Sequence, residues 1–544
     1  MLQVSVIHNN IANCFIPVCM ENVISMYCEY MGLEYQAIFT QAYIFRFDKT
    51  MCASGRIADG LSVKYDCFAW LERLYQIKVR KKSFLFFSSM ISYLSKNIEN
   101  NKPCIIHMDS YYLRWSSFFQ KEHTLHYVLV IDVNREEKTI TVIDSIDTDK
   151  PENISFEELK LGCSFVLKLQ PPSKPVRINQ RSLEQAVLKG SYEVIDAARF
   201  QEMEEFGEAF LQMFSPDVEF RDKHNVALMA TEKMVDELRK TIKGINLFVL
   251  WMMWRDKHTE IPRFRDAVIR YRQVISRWNL FINILYKKSL TGWEDNFYQK
   301  AYDIIMEITG LEREAYQSFI HALKAEDLSD GKFQEENEYI CTMADGNPLD
   351  SGMDEGKIFI PLDLHAWMNN KGFCEETERK SQECVNLTGA GEYFVWDKQP
   401  ERQFEVGGVP LVLETKQGCD NMICKGQRLR LPEMGENRKI QAIALICCTE
   451  WGASWERIAC RKKDGTVKHI PIFIKDIAQC EEENACLFGR TYGSEGEVIL
   501  QRSAVFVEHL HFTGDAGEDL QEMILPNAEN IHILAITLIG ENKV

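Results

Sequence analysis

The pattern of apolar residues changes twice along the chain, and that limits what it can fold into more than any single motif does. Up to about residue 170, strand-like runs alternate with helical ones; from about 180 to 325, long glycine-poor segments repeat at helical spacing. From about 338 the runs become short and alternating, separated by glycine and proline turns. QPPSKPVR, with three prolines in eight residues, and the acidic KAEDLSDGKFQEENEY read as the linkers between these regions. The expected architecture is therefore multidomain α+β: an α+β domain over 1–172, a helical bundle over 180–328 and a β-sandwich over 338–544. A chain of 544 residues is long enough for three separate cores.

Composition narrows the function classes. Seventeen cysteines without paired spacing, no basic leader and no apolar run near the roughly 18 residues of a membrane span point to a reduced, cytoplasmic protein. LFVLWMMW is too short to cross a bilayer. A formal charge of −17 disfavours nucleic acid and anionic membrane as partners, because both are repelled at long range. There is no G-x-x-x-x-G-K-[ST], H-E-x-x-H or paired C-x-x-C, so neither a metal nor a bound cofactor is expected. His509 and His511 alternate on one strand and read as surface, while Trp251, Trp254 and Trp278 read as core.

The chemistry is expected in two places. CMENVISMYCEYMG (19–32) reads as an amphipathic helix, with Val23, Tyr27, Tyr30 and Met31 on its apolar side and Glu21, Asn22, Ser25 and Glu29 between them. Cys19 sits at its first turn, where unpaired N–H groups and the helix dipole favour a thiolate. The segment HTLHYVLVIDVNREEKTITVIDS reads as a β-hairpin turning at Asn134–Glu137, with His126 opening the first strand and Asp144 closing the second. A hairpin brings its outer ends together, so His126 Nδ1 is expected to donate to Asp144 while Nε2 faces Cys19. Cys14 is the rival nucleophile, outside the predicted helix; His107, mid-strand, and His123, in the preceding loop, are rival bases.

These landmarks resemble a known family. The cysteine helix, then PCIIHMDSYYLRW, HYVLVIDVN and TVIDS, are similar to the papain-like N-terminal domain of the butirosin biosynthesis protein H (BtrH) family, over roughly residues 1 to 170. The resemblance implies a papain-like fold with Cys19 as nucleophile, His126 as general base and Asp144 as the orienting acid. It also implies Asn13 as an oxyanion donor, where Gln is more usual, and Asp109, Tyr111 and Tyr112 as a wall of the site. The activity implied is an acyltransferase of natural-product biosynthesis. The acyl group would pass from the phosphopantetheine of an acyl or peptidyl carrier protein, through a Cys19 thioester, to a small-molecule amine or hydroxyl. DLHAWMNNKGF, GGVPLVL, GQRLRLP and the KKDG hairpin resemble galactose-binding-like jelly-roll modules, which implies a possible carbohydrate ligand for the third region. Asn369 and Asn370 there either bind sugar or shape a turn.

Two alternatives to transfer stay open: hydrolysis by the same triad, as a peptidase or amidase, and a non-catalytic shell kept for binding. An acidic carrier would need a basic face to meet. The alternating Lys78, Arg80 and Lys82, with Lys81 between them, offer one, or else form a solvated edge strand.

Overall fold

The structure is a computed structural model that describes residues 2–9, 18–43, 45–63, 65–146, 148, 150–172, 176, 178–180, 183–184, 187, 198–259, 262–293, 296–324, 357–376, 385–416, 418–433, 438–480, 484–494, 496–512 and 516–542. It is mixed α+β and divides into two compact units. The first comprises 1–219, 231–271 and 305–327; the second comprises 220–230, 272–304 and 328–544. The stretch 180–328 is thus divided between the two units and is not a bundle of its own.

The first unit is built on a six-stranded antiparallel sheet in the order β1-β6-β2-β3-β4-β5. The strands are β1 (Lys78–Lys82), β2 (Cys104–Asp109), β3 (Leu125–Asn134), β4 (Thr139–Ile143), β5 (Glu152–Ser155) and β6 (Cys163–Gln170). One cluster of buried side chains joins Ile106 and Met108 of β2, Val128 and Val130 of β3 and Val166 of β6 to Met90, Ile91 and Leu94. Those last three lie on the helix α3 (Phe87–Glu99), whose apolar residues recur at helical spacing and so cover the sheet. Before it, α2 (Cys67–Tyr75) starts where the Asp66 side chain accepts from the amides of Phe68 and Ala69, and stops at Gln76 in a left-handed conformation. The short α4 (Phe156–Gly162) opens with a capping box between Ser155 and Glu158. Residues 2–9 carry no assigned strand, although LQVSVI alternates as one would; Leu2 donates to Ile131 O at 3.0 Å.

The helix α1 (Cys19–Tyr30) departs from its expected amphipathic form, since Glu21 through Cys28 are all buried. It ends as read, with Gly32 at φ 70°. Later helices are α5 (Ala198–Met213), α6 (Lys233–Lys257), α7 (Arg265–Thr291) and α8 (Asn296–Lys324). In the first unit α6 packs on the 3-10 segment Tyr35–Gln41 and its exit. Gly244 permits this: a Cβ there would stand 2.4 Å from Ala42 O. Trp251 and Trp278 are fully buried as expected, whereas Trp254 is only partly covered.

The second unit is rich in β structure. An eight-stranded sheet runs in the order Met422–Lys425, Asn527–Asn542, Arg438–Thr449, Val498–His511, Ala485–Tyr492, Tyr393–Trp396 and Phe373–Cys374, with Ile358–Pro361 also paired to Asn527–Asn542. A four-stranded sheet orders Arg428–Arg430, Leu520–Ile524, Ser454–Lys462 and Val467–Ile474, and the last two are joined by the expected KKDG turn with Gly465 at φ 89°. Ile443 and Ile533 of the larger sheet and Ile458 and Ile472 of the smaller one belong to one buried cluster, so the sheets share a core. Among the described residues, no helix is long and apolar enough to cross a membrane.

Candidate active site

The β3–β4 hairpin forms as its sequence dictates. Asn134 Oδ1 accepts from the amides of Glu136 and Glu137 and tightens the turn, and the register pairs Asn134 with Thr139 and Leu129 with Ile143. The outer ends therefore meet. His126 Nε2 lies 2.9 Å from Asp144 Oδ2, with the two side chains 9% and 1% exposed. The contact is short but the N–H does not point along it, so it is a close ion pair more than a linear hydrogen bond.

The imidazole nitrogen that meets Asp144 is not the expected one. Nε2, not the expected Nδ1, faces the carboxylate, and the Cys19 side chain is near enough to help raise the His126 pKa. Asp144 lies one residue past the end of β4, within the same hairpin, while Cys19 arrives from a separate element, α1, packed on β3.

Asp144 is well supplied with donors. Oδ2 accepts from Trp115 Nε1 at 2.9 Å and Oδ1 from the amide of Ile146 at 3.0 Å. Burial pushes its carboxyl up, but these bonds and the facing imidazole outweigh it and hold the group below the usual carboxylate range. Burial likewise works against a charged imidazole. The bonds to Asp144 and Cys19 prevail, and the His126 pKa is pushed up to about 10.

Cys19 is the first residue of α1 and half-exposed. Val18 precedes it as a helix cap that offers no side-chain acceptor, so none of the first-turn amides is taken by a capping side chain. What pins the helix is polar. Asn9 donates its backbone amide to Asn22 Oδ1 and its side-chain amide to Ser25 Oγ, both at 2.9 Å, and Asn246 of α6 donates to Asn9 O at 2.7 Å. Glu21, fully buried, pairs with Lys243 of α6 at 3.0 Å. His8 Nδ1 lies 2.9 Å from Ser145 O, beside Asp144. Thus Glu21, Asn22 and Ser25, expected toward solvent, are buried because each has a polar partner from a distant segment.

Asn13, the expected oxyanion donor, lies outside the described residues, as does Cys14. Asp109 ends β2 opposite Leu125, and its Oδ2 meets His123 Nδ1 at 2.6 Å. Tyr111 stacks on His123 with ring centres 4.3 Å apart. Tyr111 and Tyr112 line a depression of about 520 Å³ with Arg114, Phe119, Gln120, Glu158 and Leu161, and none of Cys19, His126 and Asp144 is among its lining residues. His123 is exposed and occupied with Asp109. His107 is stacked on Phe165 at 4.5 Å, and burial pushes its pKa down.

Sequence reasoning missed Trp115 as a site residue, although it ends the quoted YYLRW run. It also missed Asn9, Glu21, Lys243 and Asn246. The usable signal was polar side chains inside helices too apolar to face water: Glu21, Asn22 and Ser25 in α1, and the KGIN sequence (243–246) in α6. In the second unit, His509 and His511 stack with centres 5.9 Å apart, and burial pushes the His509 pKa down to about 4. Among the described residues there is no group of three His, Cys, Asp or Glu side chains placed to hold a metal. Asn369 exchanges hydrogen bonds with the backbone of Ile423, and Asn370 donates to Asn421, so both amides are used in shaping the chain. Compared with known proteins, the chain matches no family model and no curated sequence.

Proposed function

We propose that the protein is a cysteine-dependent acyltransferase on a papain-like catalytic fold, with a jelly-roll β-sandwich as its C-terminal region. The meeting of Cys19, His126 and Asp144 carries this reading: a partly exposed thiol at a helix start, beside a buried imidazole that is itself held against a buried carboxylate. An imidazolium beside a thiol favours the thiolate.

In the proposed cycle the thiolate of a Cys19–His126 ion pair attacks the carbonyl carbon of a carrier-bound thioester. The carrier thiol leaves with the proton from His126, and the acyl group remains on Cys19 as a thioester. An acceptor amine or hydroxyl then attacks that carbonyl and gives its proton to the imidazole, and the Cys19 sulfur departs as the thiolate, restoring the ion pair. Asp144, fixed by Trp115 and the Ile146 amide, holds the ring through Nε2 in both halves. Oxygen charge in each tetrahedral intermediate would fall near the first-turn amides of α1.

The test is intact-mass analysis after incubation with an acyl-carrier thioester. The wild type is expected to gain one acyl group, and Cys19→Ala none. Release of the acyl group onto an added amine supports transfer; release only as free acid turns the reading to a hydrolase; no adduct on the wild type ends it.

A further inference from the structure

The chain is strongly acidic, yet one edge of its first sheet is the reverse. Between Glu72 and Glu99 there is no Asp or Glu, although the whole sequence holds 80 of them. Inside that interval β1 carries Lys78, Arg80, Lys81 and Lys82, and β1 is the outermost strand of its sheet. The register sets Arg80 directly opposite Lys168 of β6. Like charges paired across strands disfavour the sheet unless an anion compensates them. Among the described residues no carboxylate pairs with Lys78, Arg80, Lys81, Lys82 or Lys168. Lys82 rests on the Tyr93 ring at 4.0 Å and Lys81 on Phe165 at 4.8 Å, which orders their stems but leaves the charges uncompensated.

Beside this strip the chain exposes two large apolar side chains in succession, Leu85 at 97% and Phe86 at 68%. Isolated exposed apolar residues need no explanation, but an apolar pair next to unpaired cations has the composition of a docking surface for an acidic partner with an apolar spot. The strip lies within reach of the reacting sulfur. Lys82 pairs with Val166, Val166 with Ile106 and Ile106 with Val128, two residues from His126. Three strand spacings of about 4.8 Å and a two-residue step of about 7 Å separate the backbones. A tethered thioester arm can cover that separation.

We infer that β1 and the turn after it form the docking surface for the acidic protein that delivers the thioester. This rests on the proposed acyl transfer and names its partner-binding face. A protein is favoured over an anionic membrane because two apolar side chains give too small a face to insert. A single acidic helix matches one strand in length and charge.

The test compares the full-length protein with Lys78→Glu/Arg80→Glu/Lys81→Glu, three exposed positions of an edge strand. The probes are a bacterial acyl carrier protein bearing an acetyl-phosphopantetheine thioester, acetyl-N-acetylcysteamine, and phosphatidylserine vesicles. Adduct formation at Cys19 is followed by intact mass, and binding of the labelled carrier by fluorescence anisotropy. The variant is expected to lose roughly tenfold or more in kcat/KM with the carrier, and the same in affinity, while its rate with the small thioester is unchanged. Wild-type affinity for the carrier is expected to fall as salt rises. Equal carrier rates and affinities in both proteins overturn the inference, as does an equal loss with the small thioester, or binding to vesicles but not to carrier. If neither thioester acylates Cys19, the proposed activity fails while the anisotropy arm still decides the docking surface.

Discussion

Replacing Lys243 by methionine removes the ammonium from a buried pair while keeping most of the side-chain volume. Its partner Glu21 is 1% exposed, Nζ and Oε1 are 3.0 Å apart, and no other donor among the described residues reaches that carboxylate. Burial pushes the Lys243 pKa down, but the facing Glu21 outweighs it and holds the ammonium above its usual range, so Lys243 is charged at neutral pH. Removing one partner of such a pair costs about 3–5 kcal/mol, because the other charge stays buried without compensation. With an m-value of ~3 kcal/mol/M in urea, that lowers the unfolding midpoint of the first unit by roughly 1–1.7 M.

Cys28 and Cys67, both fully buried in the same unit, provide the readout. Thiol labelling followed by peptide mass analysis, in full-length protein across a urea series, reports when they open. The double variant Glu21→Gln/Lys243→Met is expected to regain most of the loss, with a coupling of about 2 kcal/mol or more. A single variant whose midpoint moves by less than about 0.3 M, or losses that simply add, would refute the claim that this pair fastens α1 to α6.

Trp115→Phe removes the indole donor from Asp144 Oδ2 and is expected to cost about 1–3 kcal/mol and to slow Cys19 acylation roughly tenfold; an unchanged rate would remove Trp115 from the positioning of the triad. The His126 pKa is raised from 6.5 to about 10, so its stabilising contribution is complete below about 6.5 and is lost as pH rises through 10. Asp144 is lowered from 3.8, so its contribution is present above about 3.8 and is lost as pH falls through its folded value. The wild-type minus His126→Gln difference in urea midpoint is therefore expected to be largest between about pH 4 and 6.5 and to shrink toward pH 10, and a flat difference would contradict the geometry. Gly244→Ala would set a Cβ 2.4 Å from Ala42 O, and a loss of about 2–3 kcal/mol is expected by urea titration; a neutral effect would mean that α6 does not approach the 3-10 segment so closely.

How much of this was legible in sequence follows from how local each feature is. The β3–β4 hairpin could be read because its determinants are neighbours: alternating apolar residues on each side of Asn134, whose side chain closes the turn. That alone brought His126 and Asp144 together. The start of α1 at Cys19 and the KKDG hairpin were legible for the same reason. Which imidazole nitrogen meets the carboxylate was not, because it depends on the His126 side-chain torsions, which strand periodicity does not read. The burial of Glu21, Asn22 and Ser25 was hidden too, since their partners Asn9 and Lys243 lie outside the helix, at sequence separations that periodicity does not read. Assigning 180–328 to a single bundle failed for a related reason: helical periodicity shows that a segment has an apolar face, not which element covers it.

The most direct measurement is the rate at which Cys19 is alkylated by iodoacetamide between pH 5 and 10, mapped to the residue by peptide mass analysis in wild type and His126→Ala. The account predicts that Cys19 reacts faster than every other cysteine near neutral pH, and that His126→Ala slows it by about a hundredfold. Equal rates in the two proteins, or a faster reaction at Cys14, would contradict it.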